Sequence, residues 1–121
     1  MTIDLNGKTL TKTGNSIAVV ADNGANIILK NGTVNAQGHA VIAIGDSTVT
    51  IESGNYNSTG DTAIWAGNSS GEVGHVIING GSVTSQEFAV AAMQQGSSLE
   101  INGGIFTAKD NAVIAGNGTR G

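Results

Sequence analysis

The sequence predicts an all-β fold, a parallel β-helix of about five coils of 22–27 residues each. Three observations carry that prediction. A short apolar pattern returns along the whole chain, the composition resists helices, and stacking the copies lines up unbroken apolar columns.

The pattern is an apolar residue, any residue, a second apolar residue, a turn-forming cluster and a third apolar residue. It reads Val49-Thr50-Ile51-Glu52-Ser53-Gly54-Asn55-Tyr56, Val76-Ile77-Ile78-Asn79-Gly80-Gly81-Ser82-Val83 and Leu99-Glu100-Ile101-Asn102-Gly103-Gly104-Ile105-Phe106. Residues 27–34 match it, as do residues 3–10 with Lys8 at a glycine position. Copies therefore start at residues 3, 27, 49, 76 and 99, spaced by 24, 22, 27 and 23. A second apolar block follows in each copy: Ala40-Val41-Ile42-Ala43, Ala63-Ile64-Trp65-Ala66, Ala89-Val90-Ala91-Ala92 and Ala112-Val113-Ile114-Ala115, with Ile17-Ala18-Val19-Val20 as the first and least regular copy. Gly, Asn, Asp and Ser clusters separate these strand candidates. The 19 glycines break every window that would otherwise carry a helical period.

Such a repeat cannot bury its apolar positions alone, but stacked on copies of itself it can, with backbone pairing from coil to coil. Successive strands then lie about 4.8 Å apart, and five coils make a rod of roughly 24 Å. Three inward columns are expected. They are Ile3, Ile27, Val49, Val76 and Leu99; Leu5, Leu29, Ile51, Ile78 and Ile101; and Leu10, Val34, Tyr56, Val83 and Phe106. Gly32, Gly54, Gly81 and Gly104 fall at one corner, where a positive φ is expected.

Composition narrows the function classes. Only 12% of residues are charged, against roughly 25% in ordinary soluble domains. Five Lys and Arg against nine Asp and Glu give a net charge of −4. No cationic surface is available for phosphates or anionic lipid, so neither nucleic acid nor membrane is an expected partner. Without cysteine there is no disulfide framework and no thiolate site. The length suits one domain over residues 1–121, and the absence of a capping element at either end reads as a segment of a longer rod.

The Ile3-Asp4-Leu5-Asn6-Gly7-Lys8-Thr9-Leu10 segment and the Ile-x-Ile-Asn-Gly-Gly units after it resemble the right-handed β-helix repeats of the pectate-lyase-like superfamily. The likeness is to the form found in phage fibre and spike proteins and in bacterial surface proteins, and it covers essentially the whole chain. It implies a right-handed parallel β-helix on a virion, outside the cell or at the cell surface. Members include polysaccharide lyases and hydrolases as well as stalks, adhesins and receptor-binding fibres, so function has to come from sites.

Alignment of the coils puts Asp61, Glu87 and Asp110 in one column. Asp61 and Asp110, two rungs apart, are about 9.6 Å from each other at the backbone, close to the roughly 6.5–9.5 Å of inverting glycosidases. The column can therefore be an acid and base pair, a calcium site of hard oxygen ligands, or a solvated turn. Other features oppose catalysis. The basic residues are scattered, His39 and His75 fall at different positions in different coils and read as loop residues, and no Ser, His and Asp grouping stands out along the chain.

The second block is more informative, because both of its faces are apolar and such strands are covered on both sides. The uniform column at 41, 64, 90 and 113 is expected to face inward. The uneven column of Val19, Ile42, Trp65, Ala91 and Ile114, with Ile44 and Met93 beyond it, is expected to face out against another copy of the chain. The alternative cover is the long segment from Gly67 to His75 or the chain ends. The expectation is thus a non-enzymatic fibre, spike or adhesin rod, homo-oligomeric with a trimer favoured, needing no cofactor. Its runner-up is a polysaccharide-binding or polysaccharide-cleaving β-helix that uses Asp61, Glu87 and Asp110, with calcium as its cation. A lattice-binding template is disfavoured, since no single Thr column crosses all coils.

Overall fold

The computed structural model describes residues 1–116, which contain strands and turns and no helix. The first coil consists of β1 (Thr2–Asp4), β2 (Thr9–Lys12) and β3 (Val19–Ala21). The second holds β4 (Asn26–Lys30), β5 (Thr33–Ala36) and β6 (Val41–Ala43), and the third β7 (Ser47–Ile51), β8 (Asn55–Ser58) and β9 (Ile64–Ala66). The fourth holds β10 (Gly74–Ile78), β11 (Ser82–Ser85) and β12 (Val90–Ala92), and the fifth β13 (Ser98–Ile101), β14 (Ile105–Ala108) and β15 (Val113–Ala115). Each strand pairs in parallel with its counterparts one coil away, which builds three five-stranded sheets. The chain is a parallel β-helix of five coils. Residues 117–121, the end of the last repeat pattern, lie outside the described residues.

One core runs through the tube. Leu29, Ile51 and Ile78 from the first sheet, Val34, Tyr56 and Val83 from the second, and Val41, Ile64 and Val90 from the third are buried together. Branched side chains suit this interior, because their restricted χ1 fits a pleated surface at little entropic cost. Tyr56 is the one phenol among them, and its hydroxyl donates to Ser53 O at 2.8 Å. Burial pushes that phenol up to about 12 from its ordinary 10.0.

The first coil departs from the expected register twice. Ile3 pairs with Leu29 instead of Ile27, so it heads the column of Leu29, Ile51, Ile78 and Ile101. Leu5 lies past the end of β1 and donates its N–H to Lys30 O at 3.0 Å. A shift of two residues keeps the same face inward, so the alternation cannot reveal it. In the third sheet the slip is one residue: Val19 pairs with Val41 and Val20 with Ile42. Val19 therefore belongs to the core, and Val20 takes its place on the outer face.

The glycine corner divides in two. Gly54, Gly81 and Gly104 have φ of 109°, 93° and 111°, which a side chain resists. Gly32 does not; there the left-handed residue is Asn31, with φ 60°. Gly32 is needed for space, since a Cβ at that position would stand 2.2 Å from Leu5 Cβ.

Candidate functional site

Each three-residue strand of the third sheet has its middle side chain outward, so Val20, Ile42, Trp65, Ala91 and Ile114 form one outer column. Five rungs carry no charge and no hydroxyl in that column. Ile42 is only 3% exposed and Ala91 is fully buried, whereas Val20 is 44% exposed and Trp65 and Ile114 are half-buried. The Trp65 ring reaches one coil back, 4.9 Å from the His39 ring centroid at a 52° tilt. Its Nε1 is buried without a hydrogen-bond partner, so ring packing and not the indole N–H holds it there. Ile44 and Met93, half-buried, flank the column at the next corner.

The segment proposed as an alternative cover is anchored on the corner between the third and first sheets. Gly67 donates to Ala43 O at 2.8 Å, and Val73 O accepts from Asp46 N at 2.7 Å. Within it, Asn68 Oδ1 accepts from the N–H groups of Ser70 and Glu72, both at 3.0 Å.

Asp61, Glu87 and Asp110 occupy the same corner on successive rungs, two residues ahead of Ala63, Ala89 and Ala112, which immediately precede β9, β12 and β15. Their counterpart in the first coil is Ser16, because of the one-residue slip. Two buried serines build this corner. Ser58 Oγ accepts from Asp61 N at 3.1 Å and donates to Gly38 O at 2.5 Å. Ser85 Oγ accepts from Glu87 N at 3.0 Å and donates to Asp61 O. Asp61 is further tied to its own rung, since Oδ1 accepts from Thr62 N at 2.8 Å. His39 Nδ1 lies 2.6 Å from Thr62 O, which fixes the ring proton on Nδ1, and Nε2 stands 3.7 Å from Asp61 Oδ2. Among the described residues no three His, Asp or Glu side chains converge as metal ligands.

A constellation that the linear sequence conceals lies on the outer face of the first sheet. His75 is a strand residue in β10, and Ser98 of β13 is its paired neighbour one rung on. His75 Nδ1 is 2.7 Å from Ser98 Oγ, and Nε2 is 2.9 Å from Asp46 Oδ1. Asp46 reaches the ring from the turn before β7, where its φ is 61°. Ser, His and Asp are thus brought together from three coils. Scans against protein-family models, curated proteins and solved structures match nothing to this chain.

Proposed function

We propose that the chain is a rigid, non-enzymatic rod module of a phage fibre or spike or of a bacterial surface adhesin, held as a homotrimer through the outer face of its third sheet. The observation that carries this reading is the outer column itself. Val20, Ile42, Trp65, Ala91 and Ile114 are apolar on every rung, while in the other two sheets polar residues interrupt the outward isoleucines, as Thr2, Thr50 and Glu100 do Ile28 and Ile77, and Thr33, Asn55 and Ser82 precede Ile105. An apolar stripe along a rod suits side-by-side packing of identical rods, and cyclic symmetry closes that packing. Ile42 and Ala91 are already covered within one chain, so Val20, Trp65 and Ile114 carry the contact.

Mass measurement in solution tests it. The wild type is expected as a trimer and Trp65→Asp as a monomer, because the contact would have to desolvate a carboxylate with no counter-charge. A monomer in both cases refutes the interface. The runner-up reading draws support from the carboxylates on successive rungs at one corner: a saccharide or a calcium ion held by Asp61, Glu87 and Asp110. Cleavage of a neutral or uronate polysaccharide that Asp61→Asn abolishes would put that reading first.

A further inference from the structure

We propose that Ser98 is an activated acyl acceptor, which takes one acyl group from an activated ester or thioester. The rod reading makes no use of this serine. It lies on a different face from the apolar stripe, and the His75 side chain is partly open to solvent.

The hydrogen bonds set the polarity of the site. An ionised carboxylate only accepts, so His75 Nε2 carries the ring proton toward Asp46 Oδ1 at 2.9 Å. Nδ1 is then left with its lone pair facing the Ser98 hydroxyl at 2.7 Å. A nucleophile within hydrogen-bond reach of a base, with the base oriented by a third group, is the arrangement that activates serine. Asp46 is the positioning residue here, because its carboxylate bonds the imidazole and acts on the Ser98 hydroxyl only through that ring. The rung spacing holds the geometry: His75 and Ser98 are cross-strand neighbours on rigid strands, and no loop has to close to bring them together.

In the reaction Ser98 Oγ bonds to the acyl carbon as its proton passes to His75 Nδ1. The bond to the leaving oxygen or sulfur breaks, and that atom departs with the bonding pair and takes up the proton. The products are an ester at Ser98, a neutral imidazole and the free leaving group. Donors with good leaving groups are the matched class, since departure needs no help and delivery of Oγ by the base suffices. The ester on Ser98 has an ordinary alkoxide as its leaving group, so water displaces it slowly and the adduct accumulates. The rod then gains one acyl group per chain and turns nothing over.

The test is p-nitrophenyl acetate with the intact chain, following nitrophenolate release and locating acetyl groups by peptide mass spectrometry. One equivalent of rapid release with acetyl on Ser98 is expected, and Ser98→Ala loses both. His75→Gln slows the burst by about 100-fold or more, the range for a lost general base. Asp46→Asn lowers the saturating burst rate without raising the ester concentration needed for half of it. Ser82, whose hydroxyl donates to Asn55 on another face, is the internal control. Acetylation of Ser98 no faster than that of Ser82 overturns the proposal, as does steady turnover with no acetyl on Ser98.

Discussion

Ile78 and Ile101 are the same residue in the same inward column, paired across adjacent rungs, yet Ile78 is fully buried and Ile101 is 39% exposed. The same contrast separates Val90 from its partner Val113, and Val34 from Leu10. The difference lies in what stacks on each residue. Among the described residues a middle coil has a paired rung on both sides and the first and fifth coils on one, so in this fold burial is a property of the neighbouring rung more than of the side chain. The middle coils hold the stability, and equal substitutions should read that out unequally.

The largest effect is expected where the comparison is sharpest. Ile78→Ala should cost about 2–5 kcal/mol, the range for deleting a buried branched side chain and leaving a cavity. Ile101→Ala, on the last described rung, should cost only about 1–1.5 kcal/mol, because 39% of its surface is already in water. Urea unfolding of both variants measures this. Equal losses would mean that the last coil is covered as fully as the fourth.

The buried phenol of the third coil supplies the next effect. Tyr56 keeps its proton to about 12 in the folded chain, while the unfolded chain releases it near 10.0. Above about 10 the folded state binds more protons than the unfolded state, so stability is complete below that pH and falls as pH rises toward about 12. The loss should approach roughly 2 kcal/mol. Tyr56→Phe cannot release a proton there and should lack this part of the alkaline loss, so thermal melts of the two proteins across that window should diverge. Parallel curves would show that other groups dominate. Tyr56 shares its column with Val83 and Phe106, so no terminal rung repeats the effect.

How much of this was legible in the sequence depends on which periodicity a residue obeys. The coils, the three sheets and the buried columns follow from an apolar pattern of fixed phase, and the middle coils stack as that pattern predicts. The first coil does not. Ile3 slipped by two residues, which alternation cannot detect, and Val19 slipped by one because its block is apolar on both faces. The second slip had a signal: Ala18 and Ala21 match the Ala-x-x-Ala frame of Ala40 and Ala43, Ala63 and Ala66, and Ala89 and Ala92. His75 and Ser98 each stand one residue before an aligned inward position, Val76 and Leu99, so their pairing was also within reach. Asp46 was not, since it arrives from a turn whose left-handed φ no repeat pattern specifies.

The smallest effect extends the comparison to the outer surface. Asn57 in the third coil, Thr84 in the fourth and Thr107 in the fifth share one outward column of the second sheet. Asn57 Nδ2 donates to Asn35 Oδ1 at 2.8 Å, a half-buried rung-to-rung amide bond, whereas Thr107 is exposed on the end rung. Asn57→Ala removes one donor and leaves the Asn35 oxygen with access to water, so it should cost roughly 0.5–1.5 kcal/mol. Thr107→Ala should stay within about 0.5 kcal/mol of the wild type. A double-mutant cycle between Asn35 and Asn57 isolates the bond itself. A coupling near zero would mean that the amide ladder only decorates the rod, and that the inward columns alone separate its middle from its ends.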